Sequence, residues 1–237
     1  MNSPRRHSRE LALKALYQAE INNSDNIESL NQIIKDSFFP PVIEAVVKEF
    51  LKNTKADEIL SGKVEEFIPD FVDSISANPH EKLFDLRFRV KQILENYFSG
   101  VTINESFTPE LDNLINNLSA KIKKHSAVED FAKEIIENIT KNNSFIEETI
   151  EKTANNWSMS RMANIDRCIL KIAVCEFFFF PLIPVKATIN EAIELAKKYS
   201  TDRSYEFVNG ILDKISKENK FIKNTKSKND LEKESNS

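Results

Sequence analysis

Three glycines among 237 residues constrain this chain more than any other feature of its sequence. β-Hairpins and left-handed turns draw on glycine. A chain so short of it, and without long β-branched runs, is expected to be all-α, and it is long enough for one large domain or two small ones. Helix follows helix along it. Ser3 and Pro4 open SPRRHSRELALKALYQAEI (3–21) with a cap-and-proline start signal. Leu11, Ala12, Ala15, Leu16 and Ala19 then share one apolar face. Between about 27 and 120 come PPVIEAVVKEFLKN, VEEFIPDFVDSI, HEKLFDLRFRVKQILENYF and TPELDNLINNLSAKIKK. Breaks are expected at Pro40-Pro41, Pro69, Pro79, Gly100 and Pro109.

From about 126 the pattern tightens. SAVEDFAKEIIENITKN reads as a separate helix, and NSFIEETIEKTANN as another, with Ser144 and Glu147 spaced as a capping box. SRMANIDRCILKIAVCEFFFF is apolar enough for burial on most sides and ends at Pro181. TINEAIELAKKYS repeats the capping-box spacing from Thr188 to Glu191, and RSYEFVNGILDKI supplies a last helix. Residues 219–237 are polar, without apolar periodicity, and are expected to be a disordered tail.

The formal net charge of −4 does not mark the whole chain as a nucleic-acid binder, so an anion-binding surface has to be local. Cys168 and Cys175 are seven residues apart on one helix, about 10.5 Å along its axis, too far for a disulfide within it. They read as small core residues in a reducing compartment. His7, His80 and His125 have no metal-ligand spacing to each other or to cysteine. The longest apolar stretch, FFFFPLIPV (177–185), is too short and proline-broken to cross a membrane. No glycine-rich phosphate loop, nucleophile elbow or paired-cysteine metal site is present. The expectation is a cytoplasmic protein with no catalytic residues, no cofactor and no metal.

Two places carry local chemistry. Arg5, Arg6 and Arg9 crowd the first two turns of a helix, where the macrodipole makes each cation unfavourable by about 0.3–1 kcal/mol when exposed. A bound phosphate would reverse that sign; a solvated basic end is the plainer alternative. In RSYEFVNGILDKI, stepping 100° per residue puts Ile211, Leu212 and Ile215 within about 60° of Val208. Gly210 falls near the opposite side, at about 200°, in a strip with Arg203, Phe207 and Lys214. A ring, two cations and bare backbone suit unpaired bases. A second helix packed over Gly210 and Phe207 explains the same strip.

RRHSRELALKALY, NIDRCILKIAVCEF and above all PVKATINEAIELAKKYSTDRSYEFVNGILDKI resemble the NusB family of bacterial transcription antitermination factors. The likeness covers roughly 3–22 and 126–216. It implies an all-α, NusB-like fold of two packed small helical bundles, with extra helices inserted in the middle. The division implied is 1–26 as the N-terminal helix with its Arg-rich start, 27–125 as an insertion, 126–218 as the rest of the core, and 219–237 as the tail. The FFFF run (177–180) is expected to be covered partly by the insertion.

The resemblance also implies function. Family members are not enzymes. They pair with NusE, a protein of the small ribosomal subunit, and bind boxA-type single-stranded RNA of nascent transcripts, notably of ribosomal RNA operons, within RNA polymerase antitermination complexes. By position, Arg5, Arg6 and Arg9 match the family's N-terminal arginines, and Ser204 and Phe207 match its polar and aromatic RNA contacts. Lys214 joins them from the strip on the last helix. Tyr17 and Asp166 match the NusE-facing surface. Arg203 and Glu206 stand where an acidic and a basic residue are familiar. NusB-like domains also occur on ribosomal RNA cytosine methyltransferases, but a cofactor loop and catalytic cysteine have no counterpart here. A helical protein-interaction module with weak or no RNA binding is the alternative.

Overall fold

The computed structural model describes residues 4–54, 64–77, 82–97, 108–154 and 158–219. The Ser3 cap, the breaks at Pro79 and Gly100, His80 and the tail beyond Asn219 lie outside them. Among the described residues there is no strand, and the chain is all-α. Its helices are α1 (Pro4–Asn22), α2 (Asn26–Ile33), α3 (Pro40–Thr54), α4 (Val64–Ser76) and α5 (Leu83–Tyr97). Then come α6 (Thr108–Lys141), α7 (Asn143–Thr153), α8 (Asn164–Phe179), α9 (Val185–Tyr199) and α10 (Ser204–Glu218). A π-helical turn (Ile34–Phe38) follows α2, and a 3-10 turn (Met159–Arg161) precedes α8. Contacts divide the chain into two compact units, Met1–Leu30 with Asp130–Ser237, and Asn31–Glu129.

In the first unit α8 is the central element, touching α1, α7, α9 and α10. Its apolar richness has the expected consequence: every residue from Cys168 to Phe177 is buried. Arg9 on α1 bonds Glu176 near the end of α8, while Arg167 near its start bonds Glu20, so the two helices run antiparallel. Thr188 reaches Glu176 and Ser200 reaches Asp166, which sets α9 antiparallel to α8 as well. On α10 the wheel holds: Val208, Leu212 and Ile215 are fully buried and Ile211 nearly so. Both cysteines are buried and free. The Phe run is packed from within the unit: Phe131 meets Phe180 edge-on at 5.4 Å, and Phe145 meets Phe178 at 4.9 Å. Those rings need no insertion to account for their cover.

The second unit packs α3 against α4 and α4 against α5 around Ile43, Val47, Phe67, Phe71 and Leu94. The Phe67 and Tyr97 rings meet edge-on at 5.2 Å, and the Tyr97 hydroxyl donates to the Asp70 carboxylate. That hydrogen bond pushes the phenol up to about 12.

Three local expectations are corrected. Pro69 does not end a helix but lies inside α4. Its missing N–H orphans the carbonyl of Glu65; both residues are exposed, so water can serve that oxygen. The helix break expected near 125 is absent, because α6 runs unbroken from Thr108 to Lys141; the helix start at Thr108-Pro109 is as expected. Neither capping box forms. Ser144 and Thr188 sit inside their helices, and no side chain caps α7 or α9. The carboxylates meant for those boxes are held by cations instead, Glu147 by Lys171 and Glu191 by Arg6.

Candidate nucleic-acid interface

The arginine-rich start of α1 resolves its charge problem with neither solvent nor phosphate alone. Arg5 is exposed, its guanidinium 5.2 Å from the centre of the Phe131 ring. Arg6 makes a two-pronged pair with Glu191, Nε to Oε2 at 2.8 Å and Nη2 to Oε1 at 2.7 Å. That hydrogen bond holds the Glu191 carboxyl below its ordinary range and Arg6 above its own. Arg9 is only 4% exposed. Its fork grips Glu176 at 2.6 and 2.9 Å, and Thr188 donates a third bond to the same carboxylate at 2.7 Å. Expected as an RNA contact, Arg9 is an internal strut, because a carboxylate in an apolar helix demands a cation and hydrogen bonds around it.

At the start of α10 two further expected contacts turn inward. Ser204 is buried and donates to Asp166 Oδ2 at 2.9 Å. Asp166, expected on a partner surface, is buried too, and its other oxygen accepts from Ser200 at 2.6 Å. The candidate RNA contact and the candidate partner contact are thus bonded to each other, pinning α10 onto the start of α8. Lys214 is half-buried, with its Nζ donating to the Thr153 carbonyl at the end of α7, 3.1 Å away. A lysine at a helix C-terminus complements the dipole there.

Around Gly210 the surface is open among the described residues: apart from its own helix backbone and chain neighbours, a Cβ built there would meet no atom within 4 Å. Among the described residues no side chain or neighbouring backbone fills the space directly over the glycine. Phe207 beside it is half-buried, and Arg203, Asn209 and Gly210 are exposed. Tyr17 is 41% exposed and lines a surface groove of about 490 Å³ with Leu13, Lys14, Asn164, Ile165 and Tyr199.

Arg5 and Arg6 lie at the Glu176 end of α8, Phe207 and Tyr17 toward its Asp166 end. Ten residues of helix between those anchors are about 15 Å. A ligand touching both must run along the core. Missed from the sequence were the carboxylates that pair the cations, Glu20, Glu147, Glu176 and Glu191. For Glu176 a signal existed, a lone acid inside IAVCEFFFF. A second cluster joins Arg167 to Glu20 at 2.7 Å and Lys171 to Glu147 at 2.8 Å. Among the described residues no group of His, Cys, Asp and Glu could hold a metal ion, and no helix is long and apolar enough to cross a membrane.

Fold and site together define an all-helical core built on one buried central helix, with cation–carboxylate pairs toward both of its ends and an open glycine-bearing strip beside its start. The family model described as "NusB family" matches residues 77–217, more than half of the chain. The transcription antitermination protein NusB of Gloeothece citriformis is 32% identical over 222 residues, covering 90% of this chain and 92% of that one. The protein of the same name from Geotalea uraniireducens is 44% identical over 105 residues, 44% of this chain and 72% of its own. A solved structure of T. maritima NusB is similar over 92% of this chain and 94% of that one, at 24% identity and a TM-score of 0.49. The chain belongs to the NusB family.

Proposed function

We propose that this protein is a non-enzymatic transcription antitermination factor that binds single-stranded boxA-type RNA together with NusE in the cytoplasm. The observation that carries the reading is the open strip on α10, where Gly210 leaves bare backbone beside Phe207 in a chain of this family. Bases would stack on Phe207. Phosphates would meet Arg5 and Arg6 at one end of the core and Lys214 on α10. Arg9, Ser204 and Asp166 serve that surface from inside by fixing the start of α1 and the start of α10. The groove beside Tyr17 is the proposed seat for NusE. The insertion proposed over 27–125 is expected to contribute no RNA contact, since residues 21–125 carry 12 Lys/Arg against 17 Asp/Glu.

A second reading, a protein-interaction module with weak or no RNA binding, draws on the pairing of Arg6 and Arg9 with carboxylates. Titration of a labelled boxA-type RNA, with and without NusE, separates the two. Arg5→Ala with Arg6→Ala is expected to weaken binding and flatten its salt dependence. Phe207→Ala is expected to weaken it at every salt concentration, as loss of a stacking ring does, by about 1–3 kcal/mol. No binding by the unaltered protein, even with NusE present, would select the second reading.

A further inference from the structure

The Arg6–Glu191 pair differs from the buried Arg9–Glu176 pair in ways that matter for a ligand. It is at the surface, with 32% of the Arg6 side chain and 18% of the Glu191 side chain still in water. Among the described residues no hydroxyl shares its carboxylate, whereas Thr188 shares that of Glu176. It also borders a surface cleft of about 320 Å³ lined by Glu10, Glu194, Lys197 and Lys198. A carboxylate gripping Nε and Nη2 takes the same donor edge that a phosphate takes in a two-pronged contact.

We propose that Glu191 is an internal phosphate mimic: it occupies Arg6 in the RNA-free protein, and RNA engages Arg6 by exchanging one anion for another. The inference rests on the reading that Arg6 meets RNA. Its consequence is selectivity. A polyanion offering only charge gains little from Arg6, because a bond must be broken for each one made. A ligand that also stacks on α10 is held at the surface while the exchange occurs. Lys198 is engaged in the same way by Glu10, at 2.8 Å across the same two helices. The N-terminal surface is therefore damped at more than one cation, and Glu191 sets the damping of the arginine nearest the ligand. If Glu191 instead merely aimed the fork outward, removing its charge would weaken binding, so the two roles differ in sign.

The test uses E191Q, which keeps the side chain's shape and one hydrogen-bond acceptor. Anisotropy titrations with a boxA-type RNA and with an oligouridine of equal length, at about 50 and about 200 mM salt, give affinity and salt slope. E191Q is expected to bind both RNAs about threefold or more tightly at the lower salt, with a salt slope steeper by about 0.7. In an Arg6→Ala background the same change should do nothing, because the effect acts through Arg6. On the unaltered chain, the Arg6 Nε–H resonance should shift when RNA is added. Unchanged or weaker binding by E191Q overturns the proposal, and so does an equal gain without Arg6, which would mark a general charge effect. If the unaltered protein binds RNA and Arg5→Ala weakens it while E191Q gains nothing, only this proposal falls. If the unaltered protein binds no RNA, the underlying reading falls with it.

Discussion

Glu176 sits in the most apolar stretch of the chain, and an ionised carboxylate there would be strongly disfavoured without compensation. Arg9 and Thr188 supply it from two other helices, so three side chains lock α1, α8 and α9 at one point. Arg9→Ala is expected to lower unfolding free energy by about 3–5 kcal/mol, because it leaves a buried charge unpaired. Replacing Arg9 and Glu176 together by apolar residues of similar volume should be much milder. Denaturant titration of the single and double variants checks both expectations. Position along the sequence was enough to mark Arg9 as one of a cationic cluster. Its burial depended on which face of α1 meets α8, and a carboxylate 167 residues away gives no local sign of itself. The same distance effect hid the Arg6–Glu191 pair, since Thr188 and Glu191 have a spacing that local rules assign to a cap.

At the scale of helices, apolar period was the reliable signal and end signals were the weak one. The stripe of Val208, Ile211, Leu212 and Ile215 and the near-total burial of α8 were both legible, because periodicity records which face is covered. Helix ends were less so: tertiary partners took over the side chains expected to cap α7 and α9. α6 shows a further limit. HSAVED (125–130) holds no proline or glycine, and only the change in apolar pattern suggested a break there. Ala127 is exposed and lies within the unbroken helix. Ala127→Pro should therefore cost about 3 kcal/mol or more, read by thermal or denaturant unfolding. A loop at this place would absorb the proline with little change.

Across the whole molecule, charge is the property that composition described and structure redistributed. A net charge of −4 coexists with a local cationic end, yet two of the three N-terminal arginines there carry a carboxylate partner. Only Arg5, Arg6 and Lys214 remain as phosphate contacts in the proposed function. At about 0.7 per contact on a single strand, Arg5 and Lys214 should give the unaltered protein a salt slope of about −1.4, with Arg6 bringing it to about −2 only once its carboxylate partner is removed, measured by titration across a salt series. A much steeper slope would require cations outside this set. The family match and the central helix show that the core was readable from its C-terminal motifs. The second unit was readable only as helices, since none of its motifs named a partner.

The Arg9–Glu176 lock also sets a timetable. A ribosome adds roughly 5–20 residues per second, so α1 leaves it on the order of ten to thirty seconds before its partner carboxylate exists. Through that interval Leu11, Leu13 and Leu16, all buried in the finished core, have no α8 to cover them. The nascent chain thus passes through a long window in which its first helix is an uncovered apolar surface, open to chaperones.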